Sequence, residues 1–128
     1  MTDTIYQTKN LTPNQQKWLK HYRVLCERGQ QRASTRTEAN QLLSVVEYHH
    51  ITPRCLGGSD LLTNLVYLSA EEHFIAHLLL TKLFPKHKGL HAACLRMAKN
   101  CPSNKVIALN TVRGVINRER KILINQYE

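Results

Sequence analysis

From Thr12 onward, stretches with apolar residues at the helical period alternate with short runs rich in β-branched and aromatic residues. Thr12-Pro13 combines a capping hydroxyl with proline at the first helical position. Trp18, Leu19, Tyr22, Leu25 and Cys26 then recur at helical spacing, and Gly29 marks a stop. The polar stretch GQQRASTRTEANQ reads as a linker or exposed turn, with room for a short helical start. LLSVVEYHH has strand composition, Gly57-Gly58-Ser59-Asp60 is a turn, and NLVYL (64–68) is a second strand. Ser69 opens a helix, and Glu72 three residues on completes a capping box. Pro85 stops this helix near Phe84. Its apolar residues, Phe74, Ile75, Leu78, Leu79, Leu80 and Leu83, surround most of its circumference, which predicts a central, largely buried helix.

Beyond it, Leu90, Ala93, Cys94 and Met97 share one face of a helix expected over 89–100. A break at Pro102-Ser103 is followed by a weaker helical pattern from Val106 to Ile124, interrupted by Gly114. Residues 1–10 read as a loose tail. The order is helix, strand, loop, strand, helix, then further helices: an α+β chain. Its 128 residues suit one domain, able to form a core without disulfide staples.

Composition narrows the class. No apolar run approaches a membrane span, and FIAHLLL carries His77 within it. The start MTDTIYQTKN lacks the basic and apolar regions of a signal peptide, so a protein that is not secreted is expected. Cys26, Cys55, Cys94 and Cys101 form no CxxC pair, which argues against an all-cysteine zinc site and suits reduced thiols. Lys and Arg number 18 against 9 Asp and Glu, a net charge of +9 that favours a polyanionic partner such as nucleic acid. Arg23, Arg28, Arg32 and Arg36 precede the strands, while Lys86, Lys88, Arg113, Arg118, Arg120 and Lys121 follow the central helix. Such flanking charge can hold a duplex backbone or simply be solvated.

Four of the seven histidines, His49, His50, His73 and His77, fall in the strand-strand-helix segment. His73 and His77 lie one helical turn apart and project from nearly the same face, an arrangement that suits metal ligation. Bonds to backbone or water would account for the same pair. His49 and His50 are neighbours in a strand, so they point to opposite sides. One imidazole can then complete a three-histidine metal site, and the other stays unligated, free to take a proton near neutral pH. Three protein ligands with an open position is the catalytic pattern of metal coordination. Arg54 can grip a phosphate oxygen or sit in solvent. Glu47, on the strand face of His49, can orient that ligand or form a surface ion pair. Gly57-Gly58 supplies a turn, and could also let backbone approach DNA. His21, His87 and His91 match no motif position and read as surface or packing residues.

The run HHITPR, then GGSD, then NLVYL, then EEHFIAH resembles the HNH endonuclease family, and within it the small phage-encoded and homing enzymes. The resemblance is contiguous through the middle of the chain, with a looser likeness in GLHAACLRMAK. It implies a ββα-metal core over 43–84, an N-terminal helical segment over 1–42 and C-terminal helices over 85–128. His49 would be the first metal ligand and His73 the last, with His77 the additional helix ligand of some members. His50 would be the general base, and Asn64 the residue that braces the loop and holds it. The implied activity is hydrolysis of DNA by one divalent ion (Mg, Mn, Zn or Ni), leaving a 5′-phosphate and a 3′-hydroxyl. The implied setting is the host cytoplasm for a phage-encoded enzyme, acting as a monomer or homodimer. The rival expectation is a non-catalytic DNA-binding module with a structural metal, for which Cys55 would serve as fourth ligand.

Overall fold

The computed structural model describes residues 4–99. Helices α1 (Pro13–Arg32) and α2 (Arg36–Leu42) precede strands β1 (Glu47–His50) and β2 (Leu65–Leu68). Helices α3 (Ala70–Leu83) and α4 (Lys88–Lys99) follow. The helix expected over 106–124 lies outside the described residues.

Capping chemistry sets the helix starts where the sequence places them. Thr12 Oγ1 accepts from the Gln15 amide while the Gln15 side chain accepts from the Thr12 amide. Ser69 and Glu72 make the same reciprocal pair at the start of α3. Thr35 caps α2 by accepting from the Glu38 amide. The polar stretch expected to be mostly linker therefore contains a two-turn helix, its start written in the Thr-x-x-Glu spacing. Leu90, in α4, donates its amide to His87 Nδ1, so His87 ends up as a cap.

The strands form one antiparallel hairpin with His49 opposite Val66 and His50 opposite Leu65. The first strand is shorter than its composition suggests. Glu47 pairs with Leu68, and at Ser69 the chain turns into α3, so residues 42–46 have no strand to pair with. Val46 instead packs with Ala33 and Ala39 in a small satellite cluster, and Val45 is exposed.

The main core lies between α1, α3 and the inner face of the hairpin. Tyr22 and Cys26 of α1, Val66 and Leu68 of β2, and Leu80 of α3 are its largest fully buried side chains. On α3 the burial falls on Ile75, Ala76, Leu79, Leu80 and Leu83, while Phe74 and Leu78 are only partly covered. Leu90 and Cys94 of α4 are buried against it. The described part of the N-terminal segment, residues 4–10, is not loose. Ile5 is buried, and its amide donates to Thr52 Oγ1 at 2.8 Å. Among the described residues no helix is long and apolar enough to cross a membrane.

Gly29 is not a helix stop, because α1 continues to Arg32. It is a close-approach position where α1 crosses β2. A Cβ there would lie 2.6 Å from Val66 Cγ2 and 2.9 Å from Leu68 Cδ2. One turn later, Arg32 donates to both Glu72 carboxylate oxygens, at 3.1 and 2.8 Å, and to the Tyr67 carbonyl at 3.0 Å. The Glu72 carboxyl thus serves the α3 cap and the α1 guanidinium together. Burial alone would raise its pKa. Hydrogen bonds from Arg32 and the Ser69 amide, with the charges of Arg32 and Arg28, outweigh that and hold it below its usual value.

Two outcomes are expected from urea unfolding. Gly29→Ala gains about 1 kcal/mol of helix propensity, but overpacking against the stiff Val66 side chain costs about 1–3 kcal/mol. A net loss of stability of about 1 kcal/mol is expected. A depressed carboxyl adds stability that is present above its unfolded pKa and lost as pH falls through the folded value. Glu72→Gln should therefore destabilise at pH 7 and flatten the loss of stability seen below about pH 4.5.

Candidate metal centre

Strand alternation and the α3 turn meet at one point. His49 leaves the inner face of β1 and is 3 % exposed. His73 and His77 rise from α3 beneath it. The ring centroids are 5.0 Å apart for His49–His73, 5.1 Å for His49–His77 and 4.8 Å for His73–His77. One nitrogen from each ring lies within 4.8 Å of the others, so these histidines can hold a metal ion.

The donor chemistry fits such an ion. Burial pushes His49 well below the ordinary imidazole pKa, and the neighbouring His73, His77 and His50 rings add to that. Burial, with His73 beside it, lowers His77 to about 4. These two rings are therefore neutral at pH 7, with lone pairs available. The Nδ1 of His77 is buried and has no hydrogen-bond partner. An unpaired buried nitrogen costs about 1–3 kcal/mol unless something binds it, and a cation is one group that would.

The rings also carry outer partners. His73 Nδ1 bonds Glu47 Oε1 at 2.8 Å, and His49 Nε2 bonds the Tyr22 hydroxyl at 2.7 Å. Of the two roles open to Glu47, orienting His49 or pairing at the surface, the structure shows a bond to a histidine, and that histidine is His73. Glu47 sits two residues before His49 on the same face of β1, and the first turn of α3 brings His73 against it. Tyr22 was assigned only to the core by its helical spacing. Nothing local in the sequence links it to a residue 27 positions away.

His50 lies on the outer face, with Tyr48 beside it at 5.9 Å between ring centroids. Its Nε2 bonds Asp60 Oδ1 at 2.8 Å, and the same oxygen accepts from Arg54 Nε at 2.8 Å. The bonds from His50 and Arg54, with the Arg54 charge close by, hold the exposed Asp60 carboxyl below its usual range. Asp60 read only as a turn residue in the sequence, yet it joins His50 to Arg54.

The loop that carries these groups is pinned by Asn64, which is 3 % exposed. Its Nδ2 donates to the Thr52 carbonyl at 3.0 Å and the Ser59 carbonyl at 2.7 Å. Its Oδ1 accepts from the Thr52 amide at 2.8 Å, and its backbone carbonyl from the Ile51 amide at 2.9 Å. The glycines divide the turn between them. Gly57 has φ +90°, and a Cβ on Gly58 would fall 1.7 Å from the Thr52 carbonyl oxygen. His21 packs edge-on against Trp18, and His91 Nε2 bonds the Pro85 carbonyl, both apart from the cluster. Cys55 is exposed and does not belong to it.

Zinc alone should bind the full chain at one ion per chain in calorimetry. At about a hundred times its Kd it should raise the unfolding free energy by about 2.7 kcal/mol. His77→Ala should remove most of that gain, and an equal gain in the variant would exclude His77 as a ligand.

Comparison with known proteins points to a group of phage proteins. A 67-residue segment is 48% identical to "Probable mobile endonuclease B" of Enterobacteria phage T4, covering 52% of this chain and 24% of that protein. A 52-residue segment is 56% identical to "Probable mobile endonuclease E" of the same phage, covering 40% of this chain and 37% of that protein. A third relative, "Probable mobile endonuclease D", is 42% identical over 73 residues, 57% of this chain and 27% of its own length. The chain thus spans between 24% and 37% of the length of these three relatives. No family model and no solved structure matches.

Proposed function

We propose that this chain is a metal-dependent endonuclease of the HNH type that hydrolyses DNA phosphodiester bonds. Residues 1–128 would form one domain built around a ββα core over 43–84. The observation that carries this reading is the division of labour at β1. His49 turns inward to two further imidazoles, and the adjacent His50 turns outward onto an exposed carboxylate. The endonuclease names of the phage relatives support the same reading.

His49, His73 and His77 would hold one divalent ion. Imidazole donors suit zinc or nickel better than manganese or magnesium. Bound there, such an ion would supply Lewis acidity to the phosphate and to the departing 3′ oxygen. Glu47 keeps His73 in orientation by accepting from its Nδ1.

His50 is the general base. Ionised Asp60 can only accept, so it keeps the ring proton on Nε2 and leaves Nδ1 bare to take a proton from water. The water oxygen bonds to phosphorus as the bond to the 3′ oxygen breaks, and the leaving oxygen takes a proton from solvent. The products are a 5′-phosphate and a 3′-hydroxyl. Arg54, held beside His50 through Asp60, grips a non-bridging phosphate oxygen. Asn64 keeps the loop bearing Arg54 in register with the end of β1.

DNA is the partner that the net charge of +9 favours. A phage-encoded enzyme of this kind would work in the host cytoplasm, as a monomer or homodimer. The rival reading, a DNA-binding module with a structural metal, needs a fourth protein ligand. Among the described residues the cluster contains three histidines and no cysteine.

The test is cleavage of supercoiled plasmid across a panel of divalent metals. Cleavage should need metal, and His50→Ala should slow it about 100- to 10,000-fold while keeping the fold and the zinc affinity of the parent. Undiminished cleavage by a folded His50→Ala protein would sink this mechanism.

A further inference from the structure

We propose that Tyr22, on α1, is a positioning residue of the metal centre: it fixes His49 in the tautomer that carries its proton on Nε2 and leaves Nδ1 free to ligate. The inference rests on reading His49 as a metal ligand and adds a residue from outside the strand-strand-helix segment.

One hydroxyl hydrogen has two neighbours to serve. The Tyr22 hydroxyl oxygen lies 2.6 Å from the Ile51 carbonyl oxygen and 2.7 Å from His49 Nε2. A carbonyl oxygen has only lone pairs to offer, and so does a hydroxyl oxygen whose hydrogen points elsewhere. Two such oxygens at 2.6 Å would repel, so the single hydroxyl hydrogen must lie between them. That leaves the Tyr22 oxygen only a lone pair to present to His49. Nε2 must then be the donor of the 2.7 Å bond, and in a neutral ring Nδ1 is bare.

Burial makes the arrangement hold. Tyr22 is 0 % exposed and His49 is 3 % exposed, so water does not compete for either bond. The opposite tautomer would leave Nε2 as the free nitrogen, already covered by Tyr22, and its bond could form only if the hydroxyl abandoned the Ile51 carbonyl.

His73 is set by a separate partner and to the opposite sense. Glu47 accepts from its Nδ1 and leaves Nε2 bare. The two rings therefore present different nitrogens, one chosen by α1 and one by β1. Tyr22 also ties His49 to Ile51, whose amide donates to the Asn64 carbonyl. Ring orientation at the centre is in this way locked to the loop that carries Arg54.

The test uses the full chain without metal. Long-range proton–nitrogen correlation NMR of the imidazole rings reads each tautomer directly. The parent protein should show His49 protonated on Nε2. Tyr22→Phe, which removes only the hydroxyl, should populate the Nδ1-protonated form of His49 while leaving the His73 tautomer unchanged. General distortion would disturb both rings. Zinc, titrated alone, should bind the variant about 10–100-fold more weakly. A parent His49 protonated on Nδ1 overturns the proposal, whether or not the variant folds. A folded Tyr22→Phe protein with parental tautomer and zinc affinity overturns it as well. Neither readout involves DNA, so failure of the cleavage reading and failure of this one are distinguishable.

Discussion

Everything at the candidate centre depends on the register of one short hairpin. Because His49 pairs with Val66 and His50 with Leu65, the two-residue period of a strand sends one imidazole into the core and its neighbour to the surface. A slip by one residue would exchange them. The inner ring would then face solvent, and the outer one would be buried without the partners that α1 and α3 supply. Pairing reaches only as far as Glu47–Leu68, so the register is set by the ends of the hairpin. Asn64 holds the loop at one end and the α3 capping box holds the other.

Burying imidazoles is costly unless each nitrogen is satisfied. The protein meets part of that cost with groups from two elements: Tyr22 of α1 for His49 and Glu47 of β1 for His73. Among the described residues, His77 Nδ1 is buried without a partner. Fold and site are thus hard to separate. Tyr22 is among the largest fully buried side chains, and it is also the hydrogen-bond partner of His49. Gly29, two turns further along α1, lets the helix sit close enough to β2 for that contact.

The outer face follows a different logic. His50, Arg54 and Asp60 are tied together at the surface, where single ion pairs contribute little to stability. Their arrangement is sustained by the buried amide of Asn64 and by two glycines, one at positive φ and one beneath a carbonyl. The rigid part of this loop is its backbone. The Arg54 and Asp60 side chains that it carries are exposed.

Local chemistry was readable along the chain wherever its cause is local. The capping hydroxyls of Thr12 and Ser69, the turn of helix between His73 and His77, and the opposed directions of His49 and His50 all follow from spacing alone, and the structure keeps them. Strand length in β1, the role of Gly29 and the docking of Ile5 are not legible in the sequence, because each depends on what lies across a gap of many residues. So do the choice of His73 by Glu47, the bond from Tyr22 to His49 and the joining of His50 to Arg54 by Asp60. The sequence by itself determined which side chains could take part and which way each points from its own element. Only the tertiary structure decided which of them meet, because hydrogen bonds of under 3 Å are made by the packing of whole elements and leave no periodic trace in the chain.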